Sequence, residues 1–186
     1  KIISGQRISS VEEADVIIYA GSLVNPQLLS LAKPGAEIHN SAPMTLEEVL
    51  AVMERAEAEG KTTVRLHTGD PSVYGAHREQ MDALDERGIG YDVTPGVSSF
   101  LAAAASVKKE YTLPDVSQTV ILTRKAGRTA VPEREDLKSL AEHRATMVIF
   151  LSVGQLEEVA EDLAPSYGWD APAAVVYKAS WEDERI

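Results

Sequence analysis

Cysteine is absent from all 186 residues, and its absence excludes several classes of protein. Without thiols the chain has no disulfide, no thiolate nucleophile and no cysteine-ligated metal or cluster. The sequence also lacks the apolar run of about 18 residues that a membrane span needs. Its first residues, KIISGQRISS, lack the apolar stretch and cleavage site of a signal peptide. We therefore expect a cytoplasmic protein with no membrane partner.

Positive charge is in short supply, because 18 lysines and arginines face 29 aspartates and glutamates, which gives a formal net charge of -11. A protein that wraps nucleic acid needs a positive face, so we expect no nucleic-acid partner. A small anionic ligand is still compatible with this charge. The Debye length at physiological salt is about 8 Å, so a few arginines clustered in a cleft outweigh distant carboxylates.

The sequence lacks the common phosphate-binding loops and metal-ligand spacings. Neither G-x-G-x-x-G opening a helix nor a glycine-rich loop ending in Lys-Ser/Thr occurs in it. The four histidines, His39, His67, His77 and His143, are scattered without the spacing of metal ligands. We therefore predict no metal site.

What the chain does have is a regular alternation of strand and helix patterns, over a length and an apolar content that suit one domain or two small ones. Capping boxes at Ser10 with Glu13 and at Thr45 with Glu48, and a cap at Asn25 before Pro26, mark helix starts. Such alternation predicts an α/β fold with mostly parallel or mixed sheets. The predicted strands are 15–20, a short one after 34–36, 62–67, 89–95, 118–123, 146–151 and 172–177, and the better-defined helices are 46–59, 76–87, 98–107, 134–142 and 155–164.

A break in this alternation suggests two domains. Residues 106–117, SVKKEYTLPDVS, are charged, contain a proline and fit neither period. We place a junction near residue 115, which gives an N-terminal α/β domain at 1–115 and a C-terminal one at 116–186. A single continuous sheet is the alternative.

Short polar turns follow most predicted strands, at the sheet edge where α/β proteins bind ligands. In TGDP, Gly69 allows a ligand to approach the backbone, and Asp70 is able to accept hydrogen bonds from hydroxyl or ammonium groups. The alternative is that Asp70 caps the next helix. In TPGVSS, Ser98 and Ser99 either cap the alanine-rich helix or bind a ligand.

The segment TRKAGR gathers Arg124, Lys125 and Arg128 in a very acidic protein. A solvated surface loop is the ordinary interpretation of such a charge cluster. The sharper hypothesis is a cleft for a carboxylate-bearing substrate, because hydrogen bonds between charged partners are worth about 1.5 to 3 kcal/mol each.

Five segments taken in order resemble the tetrapyrrole methylase family: ADVIIYAGSLVNPQLL, RLHTGDPSVYGAHREQM, YDVTPGVSSFLAAAA, SQTVILTRKAGRTAVPE and VVYKASWEDERI. The resemblance implies two α/β domains, S-adenosylmethionine held between them, and a homodimer. It places cofactor contacts at eight positions, Thr68, Gly69, Asp70, Val73, Ser98, Ser99, Leu151 and Ala179.

The resemblance also implies a reaction, methyl transfer from a sulfonium to a carbon of a reduced tetrapyrrole in cobalamin biosynthesis. The protein then has mainly to align the reactants and exclude water, so we assign no catalytic residue. Arg124 and Arg128 are candidates to bind the acetate and propionate arms of the macrocycle, and Lys125 is expected to be solvated.

Against the family's pattern, the sequence begins after the first strand and its G-x-G-P-G loop and stops before the last strands of the second domain. We therefore expect an incomplete version of the fold, truncated at both ends, with impaired binding. The alternatives in function are a family member with another target, namely a different ring position, a protein or an RNA, and an inactive binding or dimerisation module.

Overall fold

A computed structural model describes residues 5–21, 24–127 and 129–186 of the chain. Its helices and strands alternate, and every paired strand is parallel to its neighbour, which confirms the α/β class. The chain divides into two compact units, Lys1–Ala102 and Ala103–Ile186, each described by itself below. This division falls earlier than the junction near residue 115, which stays a prediction about domains.

Unit 1 is built on a three-stranded parallel sheet in the order β2-β1-β3. Val16 pairs with both Glu37 and Thr63, so β1 is the central strand. The elements of this unit are α1 (Gly5–Glu13), β1 (Val16–Tyr19), a 3-10 helix (Pro26–Leu31), β2 (Glu37–Asn40), α2 (Leu46–Ala58), β3 (Thr63–Leu66) and α3 (Arg78–Glu86), while α4 (Ser99–Val107) begins in unit 1 and continues into unit 2.

Successive residues of β1 point to opposite faces of the sheet, and both faces are covered. Val16 and Ile18 pack against α2 and α3, whereas Ile17 packs against α1 and the 3-10 helix. All three side chains are fully buried. A strand buried on both faces explains why its sequence, VIIY, is a continuous apolar run.

Helix α2 has the capping box predicted for it. The Thr45 hydroxyl accepts a hydrogen bond from the Glu48 amide at 3.3 Å, and the Glu48 carboxylate accepts one from the Thr45 amide at 2.8 Å. Asn25 also caps as predicted, because its side chain accepts from the Gln27 amide, although the element that follows is a 3-10 helix.

Two predictions in unit 1 are wrong. Ser10 does not start a helix, because α1 already begins at Gly5 and the Ser10 hydroxyl donates to the carbonyl of Gln6 within it. Residues 89–95 form no strand among the described residues, although their apolar residues alternate. Val93 is 52% exposed, so the alternation there does not correspond to a buried face.

Unit 2 contains a two-stranded parallel sheet, in which β4 (Val120–Arg124) pairs with β5 (Thr146–Phe150). Its helices are a 3-10 turn (Glu133–Glu135), α5 (Leu137–Ala141), another 3-10 turn (Val153–Gln155) and α6 (Leu156–Tyr167). The Asp136 side chain caps α5 by accepting from the Ser139 amide at 2.7 Å. Leu137, Ala141 and Val159 are buried where α5 packs against α6.

The strand predicted at 172–177 is absent from the described part of the chain. Only Tyr177 pairs, in an isolated antiparallel bridge with Arg185, and Val175 is 41% exposed. Its apolar run has no described neighbour to supply the hydrogen bonds of a sheet. No described helix is both long and apolar enough to cross a membrane.

Candidate functional site

In unit 1, the Asp70 carboxylate joins the turn that follows β3 to the TPGVSS segment, which precedes α4. One oxygen accepts from the amide of Ser72 at 2.9 Å and from its hydroxyl, and the other accepts from the Gly96 amide at 2.7 Å. Asp70 therefore does not cap the next helix, whose N-cap is His77 and has no side-chain cap bond. The carboxylate holds the TGDP turn against the TPGVSS segment.

These hydrogen bonds bring Gly69 close to Ser98. Gly69 has a φ of +59°, and a Cβ on it would lie 3.3 Å from the Cα of Ser98. Glycine is required at this position both by the left-handed backbone and by the close approach. The turn thus combines an exposed Thr68, a tightly packed Gly69 and a buried Ser98 beside the exposed Ser99, which is the first residue of α4. Val73 is half-buried, and its amide donates to the Asp70 carbonyl at 3.2 Å.

The loop that continues from this turn is strained. Tyr74 and Ala76 have left-handed backbones with φ of 55° and 47°, and a Cβ on Gly75 would overlap the carbonyl oxygen of Pro71. Strained backbone of this kind clusters at ligand sites, where the surrounding structure holds it.

Two histidine rings lie close together beside this loop. The spacing of these residues in the sequence does not indicate this contact. The rings of His67 and His77 lie 5.6 Å apart between centroids, and the buried Nδ1 of His77 has no hydrogen-bond partner within the described structure. Across the described residues no three histidine or carboxylate side chains cluster as a metal site.

In unit 2, the Arg124 guanidinium is occupied by its own loop. It donates to the carbonyls of Thr129 and Ala130, each at 2.9 Å, and makes a longer bond of 3.4 Å to Lys125. Arg124 thereby ties Thr129 and Ala130 to the carboxyl end of β4, of which it is the last residue. Arg128, the second residue predicted to bind the substrate, lies outside the described residues.

Lys125 is not solvated, contrary to the prediction. Its ammonium group pairs with Asp162 of α6 and lies 3.6 Å from Glu158, and its side chain is only 17% exposed. The hydrogen bond to Asp162 raises the pKa of Lys125, so the amine is charged at neutral pH. Sequence spacing missed this pair because the partners are 37 residues apart.

Ser152 is a buried polar residue just after the carboxyl end of β5, and no pattern in the sequence predicted its role. Its hydroxyl accepts from the Lys125 amide and donates to the Phe150 carbonyl, which connects the ends of β4 and β5. Leu151, one of the predicted cofactor contacts, lies between Phe150 and Ser152 in the chain. It has a φ of +57° and is 73% exposed.

Ala179, the last predicted contact, lies in a small hairpin closed by Tyr177 and Arg185. The residues on either side of it, Lys178 and Ser180, have left-handed backbones. The Lys178 ammonium bonds the Asp183 carboxylate at 2.6 Å and lies 5.0 Å from the ring centre of Trp181. These contacts fix a short turn that exposes little side chain at Ala179.

Tight turns thus follow β3 in unit 1 and β4 and β5 in unit 2, at the carboxyl ends of parallel strands, the edge where open α/β sheets bind ligands. The turns offer backbone groups and hydroxyls in unit 1, and apolar surface and backbone in unit 2. Their charged groups, Asp70, Arg124 and Lys125, all make hydrogen bonds within the protein. Such a set is suited to holding a neutral or singly charged ligand in place, with no activated nucleophile.

Comparison with known proteins identifies the family. Residues 7–186 match the model of the Tetrapyrrole (Corrin/Porphyrin) Methylases. The chain is 57% identical over 178 residues to a cobalt-precorrin-4 C(11)-methyltransferase of Methanocaldococcus jannaschii, covering 95% of this chain and 69% of that protein. It is 46% identical to a precorrin-4 C(11)-methyltransferase of Pseudomonas aeruginosa, covering 98% of this chain and 72% of the relative.

Solved structures agree with this assignment. The X-ray structure of a cobalt precorrin-4 methyltransferase superposes with a TM-score of 0.93 at 45% identity, covering 98% of this chain and 77% of that one. A uroporphyrin-III C-methyltransferase from Thermus thermophilus, solved with S-adenosylhomocysteine, has a TM-score of 0.73 at 24% identity, covers 98% and 74% of the two chains, and shares the fold.

Proposed function

Because the chain belongs to the tetrapyrrole methylase family, we propose that it is an S-adenosylmethionine-dependent methyltransferase that methylates C11 of precorrin-4 or cobalt-precorrin-4 in cobalamin biosynthesis. The observation that carries this proposal is the 57% identity to a C11-methyltransferase across nearly the whole chain. The matched region covers 95% of the chain and therefore extends over both units. It supports the same methyl acceptor as well as the same fold.

The turns of unit 1 fit the cofactor that this reaction needs. Gly69 leaves no room for a side chain against Ser98, so a ligand beside it meets backbone groups. We assign Thr68, Gly69, Asp70, Val73, Ser98 and Ser99 to the cofactor in unit 1, and Leu151 and Ala179 in unit 2. When bound, S-adenosylmethionine supplies an electrophilic methyl group on a sulfonium, which already contains its leaving group.

The chain's own contribution to catalysis is then positioning. A rigid turn held by the Asp70 carboxylate, and strand ends fixed by the Ser152 hydroxyl, keep binding groups in place at no cost at the moment of reaction. Methyl transfer to an electron-rich carbon needs no protein nucleophile, which agrees with the hydrogen bonds and ion pairs that engage Asp70, Arg124 and Lys125 in the described part of these turns.

Binding of the substrate's carboxylate arms is assigned to the TRKAGR segment. Arg128 is the candidate for a direct contact, whereas the Arg124 guanidinium is engaged by carbonyls of its own loop. The role of Arg124 as a direct substrate ligand stays a prediction, and a variant that tests it is described in the Discussion. We further propose that the protein is cytoplasmic and that it forms a homodimer. Light scattering of the purified protein tests the homodimer.

The proposal is tested in two steps. Isothermal titration with S-adenosylhomocysteine is expected to give saturable binding. A thermal melt with the same ligand is expected to show a raised melting temperature, because a ligand that binds only the folded state stabilises it. Incubation with S-adenosylmethionine and precorrin-4, with and without cobalt, is then expected to give a product heavier by one methyl group. Uroporphyrinogen III serves as the control acceptor.

The outcomes separate the candidate functions. Methylation of precorrin-4 and none of uroporphyrinogen III supports the C11 assignment. Preference for uroporphyrinogen III means a different target in the same family. A folded chain that binds no S-adenosylhomocysteine contradicts the proposal and favours a non-catalytic module.

A further inference from the structure

The Ser152 side chain ties together the carboxyl ends of β4 and β5. Its Oγ accepts a hydrogen bond from the Lys125 amide at 2.9 Å and donates one to the Phe150 carbonyl at 2.8 Å. Ser152 is only 4% exposed. A buried hydroxyl with both bonds made to backbone fixes the chain between residues 150 and 152.

Leu151 lies inside this bridge in a conformation that its own contacts do not explain. A left-handed backbone is unfavourable for an L-residue, and burial of the side chain would ordinarily compensate. Leu151 has a φ of +57° but leaves 73% of its side chain exposed. The hydrogen bonds on either side of it are therefore what hold it.

We infer that Ser152 is a positioning residue, which holds Leu151 so that its apolar side chain is presented at the sheet edge for contact with the cofactor. This inference rests on the proposed function, because Leu151 is one of the positions assigned to the cofactor. Ser152 itself touches no reacting atom in this scheme. Its effect on binding passes entirely through the side chain of Leu151.

The same two strands supply a matched control at their other end. The Ser117 Oγ accepts from the Thr146 amide at 3.0 Å and donates to the Thr119 carbonyl at 2.9 Å. Ser117 therefore bridges the amino ends of β4 and β5 with the same chemistry that Ser152 uses at the carboxyl ends. No position assigned to the cofactor lies at the amino ends.

The experiment compares Ser152→Ala with Ser117→Ala by titration with S-adenosylhomocysteine and by thermal melting. Both variants lose a two-bond bridge, so both are expected to melt at a lower temperature than the wild type. Only Ser152→Ala is expected to weaken binding, by about 10-fold, while Ser117→Ala stays within about 2-fold of the wild type. Should Ser152→Ala not fold, Ser152→Cys tests the same bonds with a weaker donor and acceptor.

A double-mutant cycle with Leu151→Ala separates positioning from general loosening of the sheet. Once the Leu151 side chain is gone, removing the Ser152 hydroxyl is expected to change affinity by less than about 2-fold. Equal losses in Ser152→Ala and Ser117→Ala, or effects of Ser152→Ala and Leu151→Ala that simply add, would overturn the inference and leave the proposed function standing. A folded wild type that binds no S-adenosylhomocysteine would overturn both.

Discussion

At the scale of single residues, Asp70 makes a contribution that the local sequence of its turn does not specify. Its two carboxylate oxygens serve different segments, Ser72 within the loop and Gly96 across it. An Asn at this position keeps the shape but has only one accepting oxygen. Asp70→Asn therefore has to release one of the two segments.

We expect Asp70→Asn to lower the free energy of unfolding by about 0.5 to 1.5 kcal/mol, the usual net contribution of a hydrogen bond, because the Ser72 amide is exposed and the Gly96 amide half-buried. We also expect it to weaken S-adenosylhomocysteine binding by about 10-fold, since Gly69 and Ser98 would separate. Denaturant unfolding and titration measure the two effects. Asp136→Ala, which removes a helix cap in unit 2, is the control, and an equal loss of affinity there would contradict the assignment.

Arg124 offers a second test at this scale. Two carbonyls, those of Thr129 and Ala130, accept from different nitrogens of one guanidinium, a geometry that a single ammonium reproduces poorly. We expect Arg124→Lys and Arg124→Ala to raise the KM for the tetrapyrrole alike, to leave S-adenosylhomocysteine affinity unchanged, and to speed tryptic cleavage of the loop. Retention of normal KM in Arg124→Lys alone would instead indicate direct charge contact with the substrate.

Sequence reasoning found the turns but not the bonds between them, and the reason is physical. Glycine, proline, aspartate and serine determine turn geometry locally, so TGDP and TPGVSS are recognisable wherever they occur. The Gly96 to Asp70 bond spans 26 positions and the Lys125 to Ser152 bond spans 27, and no local pattern encodes such pairs. Ser152 was missed for this reason, as was the ion pair of Lys125.

At the scale of secondary-structure elements, Glu37 ties β2 to α2 and makes the packing of unit 1 depend on pH. Its carboxylate accepts from Arg55 at 2.7 and 3.1 Å and also contacts His39 and Lys61. The Arg55 hydrogen bonds, followed by those from His39, lower the pKa of Glu37 from 4.5 to about 2. A carboxylate whose pKa falls on folding stabilises the protein above the unfolded pKa.

We therefore expect Glu37→Gln to lower the melting temperature at pH 7 and to have progressively less effect as the pH falls from 4.5 towards 2. Melting both proteins across this range measures the difference. Glu57→Gln, at an exposed position of α2, is expected to show no such trend. A Glu37→Gln effect independent of pH would show that the ion pair does not stabilise the fold.

The sequence predicted well those elements whose apolar residues pack against another element in the structure. Helix α2 carries its capping box and apolar stripe, and β1 is apolar because both of its faces are covered. Residues 89–95 and 172–177 also contain apolar residues at strand-like spacing, but periodicity cannot show whether a neighbouring strand exists. Neither segment forms a strand in the described structure.

At the scale of the whole molecule, the net charge of -11 bears on how a polycarboxylate substrate arrives. The cations of the TRKAGR segment oppose this field only in part, because Lys125 is already paired with Asp162. Raising the ionic strength from about 0.01 M to 0.15 M shortens the Debye length from about 30 to 8 Å. We expect the tetrapyrrole's association rate to rise on the order of 10-fold over this range.

S-adenosylhomocysteine, which is zwitterionic, is the control ligand for this measurement, and its association rate in stopped-flow mixing is expected to change little. A tetrapyrrole rate that falls with salt would mean that a local cationic surface dominates the approach. That result would indicate that the arginines of the TRKAGR segment attract the substrate.

The central place of β1 has a consequence for how the chain is made. Val16 pairs with Glu37 on one side and Thr63 on the other, so neither edge of β1 is satisfied by a neighbouring hairpin. During synthesis the strand VIIY leaves the ribosome before β2 and β3, and it remains apolar and unpaired until both crossover segments have emerged. Pairings across long loops form slowly, so this interval is when the nascent chain is most exposed to aggregation and most in need of a chaperone.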